Sequence, residues 1–371
     1  MHGSPPKDMP GTHEVTNQPA PRGDLDLWAN DPGLQSHATA AGADPEVLAA
    51  YGTRIGTETL RAAGRAANRH PPELVLFDTG GRRLDEVLFH PAYHDLMRVG
   101  ISAGYAALPW EGAKGGHASH AALVYLTSQV EPGVCCPMTM TYAAVPALRA
   151  DKALFADWVP KLTARAYDPA PKPLVRKPGA TLGMAMTEKQ GGSDIRANTT
   201  TATPEGDTYR LIGHKWFCSA PMSDGFLTLA QAPEGLTCFL VPRCLDDARN
   251  GIQIQRLKDK LGNRANASAE IEYNGAIAYR LGDEGAGLRT ILEMVHHTRL
   301  DTAMAPAGLM RAALDHAHYW TRNRSVFQKQ LIDQPLMRAV LADLIPNTTS
   351  VRLVTWPSVS FATRGKDGKL R

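Results

Sequence analysis

The chain has 371 residues, 43% of them hydrophobic and 21% charged, with a formal net charge of +3. At roughly 100–200 residues per domain this length gives two or three domains, and the hydrophobic content excludes the disordered class. So slight a positive excess implies no polyanion partner, and no run reaches the ~18 apolar residues of a membrane span.

Residues 1–30 are rich in Pro, Gly and Asp and are expected to form a flexible tail lying loosely on the surface. The opening MHGSPPKDMPGTHEV lacks a basic segment followed by an apolar core, so neither export nor membrane insertion is expected. Residues 31–180 read as a helical domain. Between Pro45 and Arg69, Val47, Leu48, Tyr51, Ile55 and Leu60 recur near helical spacing, with an interruption at Gly52 or Gly56. Further helices are predicted over Ala92–Ala107, Ala118–Val130 and Thr139–Val159, the last broken near Pro146. The five cysteines include no C-x-x-C pair, which predicts reduced thiols, a cytoplasmic location and no metal site. Cys135 and Cys136 read better as small buried hydrophobes than as a reactive pair.

From 181 to 285 short β-type segments alternate with turns such as Glu205-Gly206-Asp207 and Pro233-Glu234-Gly235. Several strands without an intervening helix predict an antiparallel barrel or sandwich. Helical spacing returns over 286–344, through Leu288, Ile291, Leu292, Val295, Leu300, Met304 and Met310. Over 345–371 the helical period disappears after Ile345-Pro346, which predicts an irregular tail of the kind a shifted reading frame produces. The fold class is therefore multidomain α+β: an N-terminal helical domain, a central β-domain and an incomplete C-terminal helical bundle.

Two stretches carry chemistry. MAMTEKQGGSDIRANTT, 184–200, sets two glycines beside Ser193 and Asp194, a turn whose backbone N–H groups can approach an anion. It matches neither the P-loop nor the dinucleotide fingerprint, and by itself reads best as a polar turn. HKWFCSA, 214–220, puts Trp216 and Phe217 on a β segment followed by Ser219. Such a segment offers a flat heteroaromatic cofactor an apolar face and a donor at its edge, although by itself it reads better as a half-buried strand with a core tryptophan.

Together, in a helix–β–helix order, these stretches resemble the acyl-CoA dehydrogenase family of flavoproteins, and most closely its AidB-like (alkylation-response) branch. DKLGNRANASAEIEY (259–273), LGDEGAGL (281–288), RSVFQKQLIDQPLMRAVLADL (324–344), HPPELVLFDTGGRRLDEVLFHPAYHDLM and CPMTMTYAA extend the likeness over about residues 15–344. The resemblance implies FAD between the barrel and the last domain. Met184, Ala185, Met186, Thr187, Glu188, Lys189, Gln190, Gly191, Gly192 and Ser193 would line its ring system, with Thr187 at the pyrimidine edge. Phe217, Cys218 and Ser219 would contact the ring from the next strand, and Trp216 would pack beside it. Arg324, Phe327 and Gln334, in a helix pair, would meet the adenosine-diphosphate half of FAD held by a neighbouring subunit of a homo-oligomer. An acyl-CoA or another small molecule would be the substrate of an oxidoreductase acting on CH–CH bonds.

Abstraction of an α-proton needs a carboxylate, which the family places either beyond the end of this chain or directly before an Arg in the helix opening the third domain. In HHTRLD that second position is Thr298, before Arg299, so no catalytic residue is assigned. Glu293 lies on a different helical face, and His296 and His297 point about 100° apart. The resemblance also puts the basic domain that AidB-like proteins use for DNA outside this chain. A DNA-associated protective flavoprotein and an inactive fragment therefore stand as alternatives. Leu292, Val295, Met304, Met310, Leu336 and Leu344 are expected to lack cover and to favour association.

Overall fold

The computed structural model describes residues 12, 14–112, 115–246 and 248–346. The first layer contains α1 (Pro32–Ala40), α2 (Pro45–Ile55) and α3 (Glu58–Arg69). Their starts follow from local chemistry: Asp31, Asp44 and Thr57 accept hydrogen bonds from the free N–H groups of the first turns, and α1 and α2 begin with proline. The break between α2 and α3 falls at Gly56. A Cβ there would lie 2.1 Å from the carbonyl oxygen of Leu25, whose own N–H donates to the Gly56 carbonyl at 3.0 Å.

That contact corrects the loose tail expected before residue 30. Leu27 and Trp28 are buried, Tyr319 Oη donates to the Ala20 carbonyl at 2.6 Å, and Arg22 pairs with Asp315. The apolar trio Leu25, Leu27 and Trp28 gives this segment enough surface to bury, whatever its Pro and Gly content.

An unanticipated hairpin, β1 (Glu73–Phe77) with β2 (Arg83–Leu88), precedes α4 (Pro91–Ser102). Then come α5 (Gly116–Ser128), α6 (Cys135–Leu148) and α7 (Lys152–Leu162). Pro146 sits in the last turn of α6, and the break follows Leu148, where Asp151 caps α7. Both α5 and α6 are buried on nearly every face, as expected of central helices with no polar stripe.

The central domain has β3 (Leu182–Ala185), β4 (Thr201–Glu205), β5 (Thr208–Ser219), β6 (Gly225–Ala232), β7 (Gly235–Pro242), β8 (Ile252–Leu257) and β9 (Ser268–Leu281). The strand order β3-β6-β4-β5-β9-β7, together with a β6–β7 pairing, closes the sheet into a ring, with β8 on the edge of β9. The sheet is mixed, which corrects the all-antiparallel expectation: β3 and β4 both run parallel to β6. Parallel neighbours need a long crossover, and the intervening β4–β5 hairpin and loops supply it for β3 and β6.

The long helix α8 (Gly287–Arg322) lies on α5 and α6, close enough that a Cβ at Gly308 would stand 2.3 Å from the Tyr125 carbonyl oxygen. The helix pair expected around Arg324 is interrupted by β10 (Ser325–Val326) and β11 (Lys329–Gln330). Their turn residues, Phe327 and Gln328, have φ of 48° and 65°, as a two-residue type I′ hairpin demands. A last helix, α9, runs over 335–346 and continues through Pro346. The irregular tail expected from 345 lies, from 347 onward, outside the described residues. Among the side chains expected to lack cover, Met304 is fully buried in the N-terminal core, Leu292, Val295 and Met310 are half-buried, and Leu336 and Leu344 are exposed. No helix among the described residues is long and apolar enough to cross a membrane.

Candidate functional site

The ends of β3 and β5 face α6 and α8 across a cleft of about 670 Å³. Strand alternation decides which side chains enter it. Met184, Met186, Phe217 and Ser219 project into the cleft with Thr187, whereas Ala185 and Cys218 turn into the barrel core and so do not line it. Helix α6 adds Cys136, Thr139 and Met140, and α8 adds Thr298, Asp301, Ala305 and Leu309. The Thr187 hydroxyl makes no hydrogen bond to another described residue, and that of Ser219 has Ser268 Oγ at 3.4 Å and the Cys136 thiol beside it.

The glycine-rich loop is shaped by Glu188, which the resemblance placed against a cofactor. Its side chain instead points inward and accepts six hydrogen bonds: from Thr199 N–H and hydroxyl, Thr200 N–H and hydroxyl, Gln190 Nε2 and Lys215 Nζ, the last at 2.7 Å. Glu188 and Lys215 are both 0% exposed. Burial alone would raise the Glu188 pKa, but these donors outweigh it and hold the carboxyl below the usual range. Gly192 packs under Thr187, where a Cβ would meet the threonine hydroxyl at 2.6 Å. Lys189, Gln190, Gly191 and Ser193 lie on the exposed side of the loop, away from the cleft wall.

Trp216 is tied to the loop by its N–H, which donates to the Thr187 carbonyl at 2.7 Å. Its ring does not line the cleft; Lys258 Nζ stands 3.3 Å from the ring centroid, a cation–π contact. Arg324, Phe327 and Gln334 also lie away from the cleft of this chain. Arg324 reaches the Asn17 carbonyl, Gln334 Nε2 donates to the Val326 carbonyl at 2.7 Å, and Phe327 is 87% exposed.

The sequence reading missed a buried polar network behind the cleft. Asp301 accepts from His120 Nε2 at 2.8 Å and from the Thr139 hydroxyl, which also meets Tyr105 Oη at 3.2 Å. His120 Nδ1 lies 2.6 Å from the Tyr105 carbonyl, an acceptor only, so Nδ1 carries a proton and Nε2 shares one with Asp301. The one available signal was polar residues, Ser119, His120, Thr127 and Thr139, inside otherwise apolar helices.

Next to it, His117, Tyr142, Trp110 and His297 form an aromatic cluster, with His117 Nδ1 2.9 Å from Tyr142 Oη and the two histidine rings 5.8 Å apart. Burial, aided by His297, His120 and Arg149, lowers His117 to about 3. Burial likewise lowers His297 to about 4, against the opposing Glu293 carbonyl and Asp301. In the unfolded chain both rings take up a proton near pH 6.5, so folding is most favoured above that pH and weakens as pH falls toward 4. The cost reaches on the order of 3 kcal/mol per ring near pH 4. Urea titrations from pH 8 to pH 4 are expected to show this decline, and His117→Gln is expected to reduce its slope by about 1.4 kcal/mol per pH unit, one proton's worth. An unchanged slope would mean that His117 is protonated in the folded protein.

Comparison with known proteins agrees with this geometry. The chain matches the adaptive response protein AidB N-terminal domain over residues 17–169, the acyl-CoA dehydrogenase middle domain over 183–276 and the acyl-CoA dehydrogenase C-terminal domain over 285–370. It is 48% identical to the AidB protein of Escherichia coli strain K12 over 338 residues, covering 89% of this chain and 62% of that protein. It is 32% identical to acyl-CoA dehydrogenase family member 11 of Caenorhabditis elegans, covering 87% of this chain and 54% of that protein. The crystal structure of Caenorhabditis elegans ACDH-11 in complex with C11-CoA superposes with a TM-score of 0.86 at 29% identity, covering 98% of this chain and 63% of that one. The chain thus spans about half to two-thirds of the length of these relatives.

Proposed function

We propose, for a chain that belongs to the acyl-CoA dehydrogenase family and to its AidB-like branch, that the cleft holds FAD and serves an oxidoreductase acting on CH–CH bonds. The observation that carries this reading is the barrel wall of the cleft. Met184, Met186 and Phe217 offer an apolar face; beside it the Thr187 hydroxyl has no hydrogen-bond partner among the described residues, and the Ser219 hydroxyl has only Ser268 Oγ at 3.4 Å and the Cys136 thiol. A flat ring system with a polar edge fits that combination.

When bound, FAD supplies the acceptor for a hydride leaving a substrate C–H bond. The chain's own residues bind, orient and exclude water: Thr187 and Ser219 hydrogen-bond the cofactor edge, and the methionines and Phe217 cover its face. Val124, Met140, Ala305 and Leu309 line the remainder of the cleft and suit a fatty acyl chain, the class of ligand seen in the complex of the nematode relative. Arg324, Phe327 and Gln334, away from this cleft and in part exposed, are assigned to FAD held by a neighbouring subunit. Thr298, at the position where the family resemblance implies a carboxylate, lines the cleft, and Asp301 is the one acidic side chain lining it among the described residues. Its oxygens are engaged by His120 and Thr139, so no proton-removing role is assigned to it.

Reconstitution with FAD followed by desalting is the test. One yellow flavin per chain is expected, and Thr187→Val combined with Ser219→Ala is expected to weaken FAD binding by about 10–100-fold through two lost hydrogen bonds. A folded wild-type chain that retains no flavin would overturn the reading; loss of flavin colour on adding a fatty acyl-CoA would extend it to the substrate.

A further inference from the structure

A second cavity, about 230 Å³, lies on the other side of α6 and shares no lining residue with the cleft. It is enclosed by α4, the end of the β1–β2 hairpin, the Tyr167–Pro171 segment and the β5–β6 turn. Its walls are aromatic: Phe89 and Tyr93 stack at 4.2 Å, and His94 and Tyr167 stack at 5.9 Å with a 2.9 Å hydrogen bond between them.

Two polar groups in this wall have unmet needs. Arg243, only 8% exposed, forms no ion pair with a described residue; its guanidinium donates to the Met222 carbonyl alone. The Ser223 hydroxyl, on a residue 2% exposed, has no hydrogen-bond partner. Buried cations and hydroxyls are ordinarily satisfied, since each one left alone costs roughly 1–3 kcal/mol or more. Asp224 and Glu86 lie near enough to favour the Arg243 charge, but no carboxylate among the described residues hydrogen-bonds it: Glu86 pairs with Arg249, Asp168 with Lys172 at 2.8 Å, and Asp224 with Lys177 at 3.0 Å. The turn between these groups is held in an unusual conformation, with Ala220 at φ 50°.

We propose that this cavity binds a small monocarboxylate with a flat apolar body, its carboxylate meeting Arg243 and Ser223 and its body lying among the aromatic side chains. A guanidinium recognises a carboxylate by parallel N–H···O bonds, and a space equal to about seven waters holds an acid of benzoate size. The site is independent of the FAD cleft, because the two are lined by different residues.

The test is titration calorimetry of the full chain at pH 7 with benzoate, and with benzamide as its uncharged counterpart. Saturable binding of benzoate near one per chain is expected, with benzamide at least about 10-fold weaker. Arg243→Gln is expected to abolish binding. Because that buried arginine also supports the fold, Ser223→Ala serves as the second variant, expected to keep its melting temperature and to weaken benzoate by about 3–10-fold. Absence of benzoate binding at about 10 mM would overturn the proposal, as would equal affinity for benzamide or undiminished binding in folded variants. Absence of binding would leave ordered water as the occupant of the cavity, and the other two results would place benzoate elsewhere than on Arg243 and Ser223.

Discussion

Replacing Lys215 with methionine is expected to destabilise the protein by about 3–5 kcal/mol, because it strands the Glu188 carboxylate in a fully buried site. The remaining donors, two N–H groups, two threonine hydroxyls and Gln190, soften the loss without supplying the missing charge. The consequence reaches the cleft. Glu188 fastens the loop to Thr199 and Thr200, and Trp216 N–H binds the same loop at Thr187, so the variant is also expected to lose FAD affinity. Replacing both partners, Glu188→Leu with Lys215→Met, is expected to recover part of the stability, since an apolar pair carries no desolvation cost. Equilibrium denaturation decides the matter: a Lys215→Met unfolding free energy within about 1 kcal/mol of wild type would show that the pair contributes no more than an exposed one.

The second large effect is expected at Asp301. Asp301→Leu should cost about 3–5 kcal/mol, because the shared proton of His120 and the Thr139 hydroxyl lose their common acceptor inside the helical core. Asp301→Asn should cost distinctly less, about 1–2 kcal/mol, because an amide can donate to a neutral Nε2 and accept from Thr139. The difference between the two variants reads out the network itself. Equal losses would mean that packing, not hydrogen bonding, sets the role of this residue. Since α5, α6 and α8 meet at these three side chains, the Leu variant is also expected to loosen the cleft wall and speed hydrogen exchange in α8.

Much of the candidate site was legible along the chain because its residues sit in two short stretches. Met184 and Met186 are two positions apart with Thr187 next in the chain, at and just past the end of β3, and Phe217 and Ser219 are two apart on β5. The alternation of a strand sorts them from Ala185 and Cys218, which the resemblance alone had grouped with them. Glu188 was misplaced for a different reason: an acid in a polar turn reads as exposed, and only its partner Lys215, 27 positions away, draws it inside. His120 and Asp301 are 181 positions apart and carry no local sign of each other.

By itself, the amino-acid sequence determined the order of helical, β and helical segments, the helical stretch from Pro45, the turns at Gly206 and Gly235, and the family. Each of these follows from residues within a few positions of one another, through side-chain period, turn chemistry and short motifs. Tertiary structure alone decided the parallel pairings of β3 and β4 with β6, the docking of the N-terminal segment on Gly56, and the buried partners of Glu188, Asp301 and the unpaired Arg243. Those depend on which distant surfaces exclude water together, and burial is a property of the assembled chain that no local window contains.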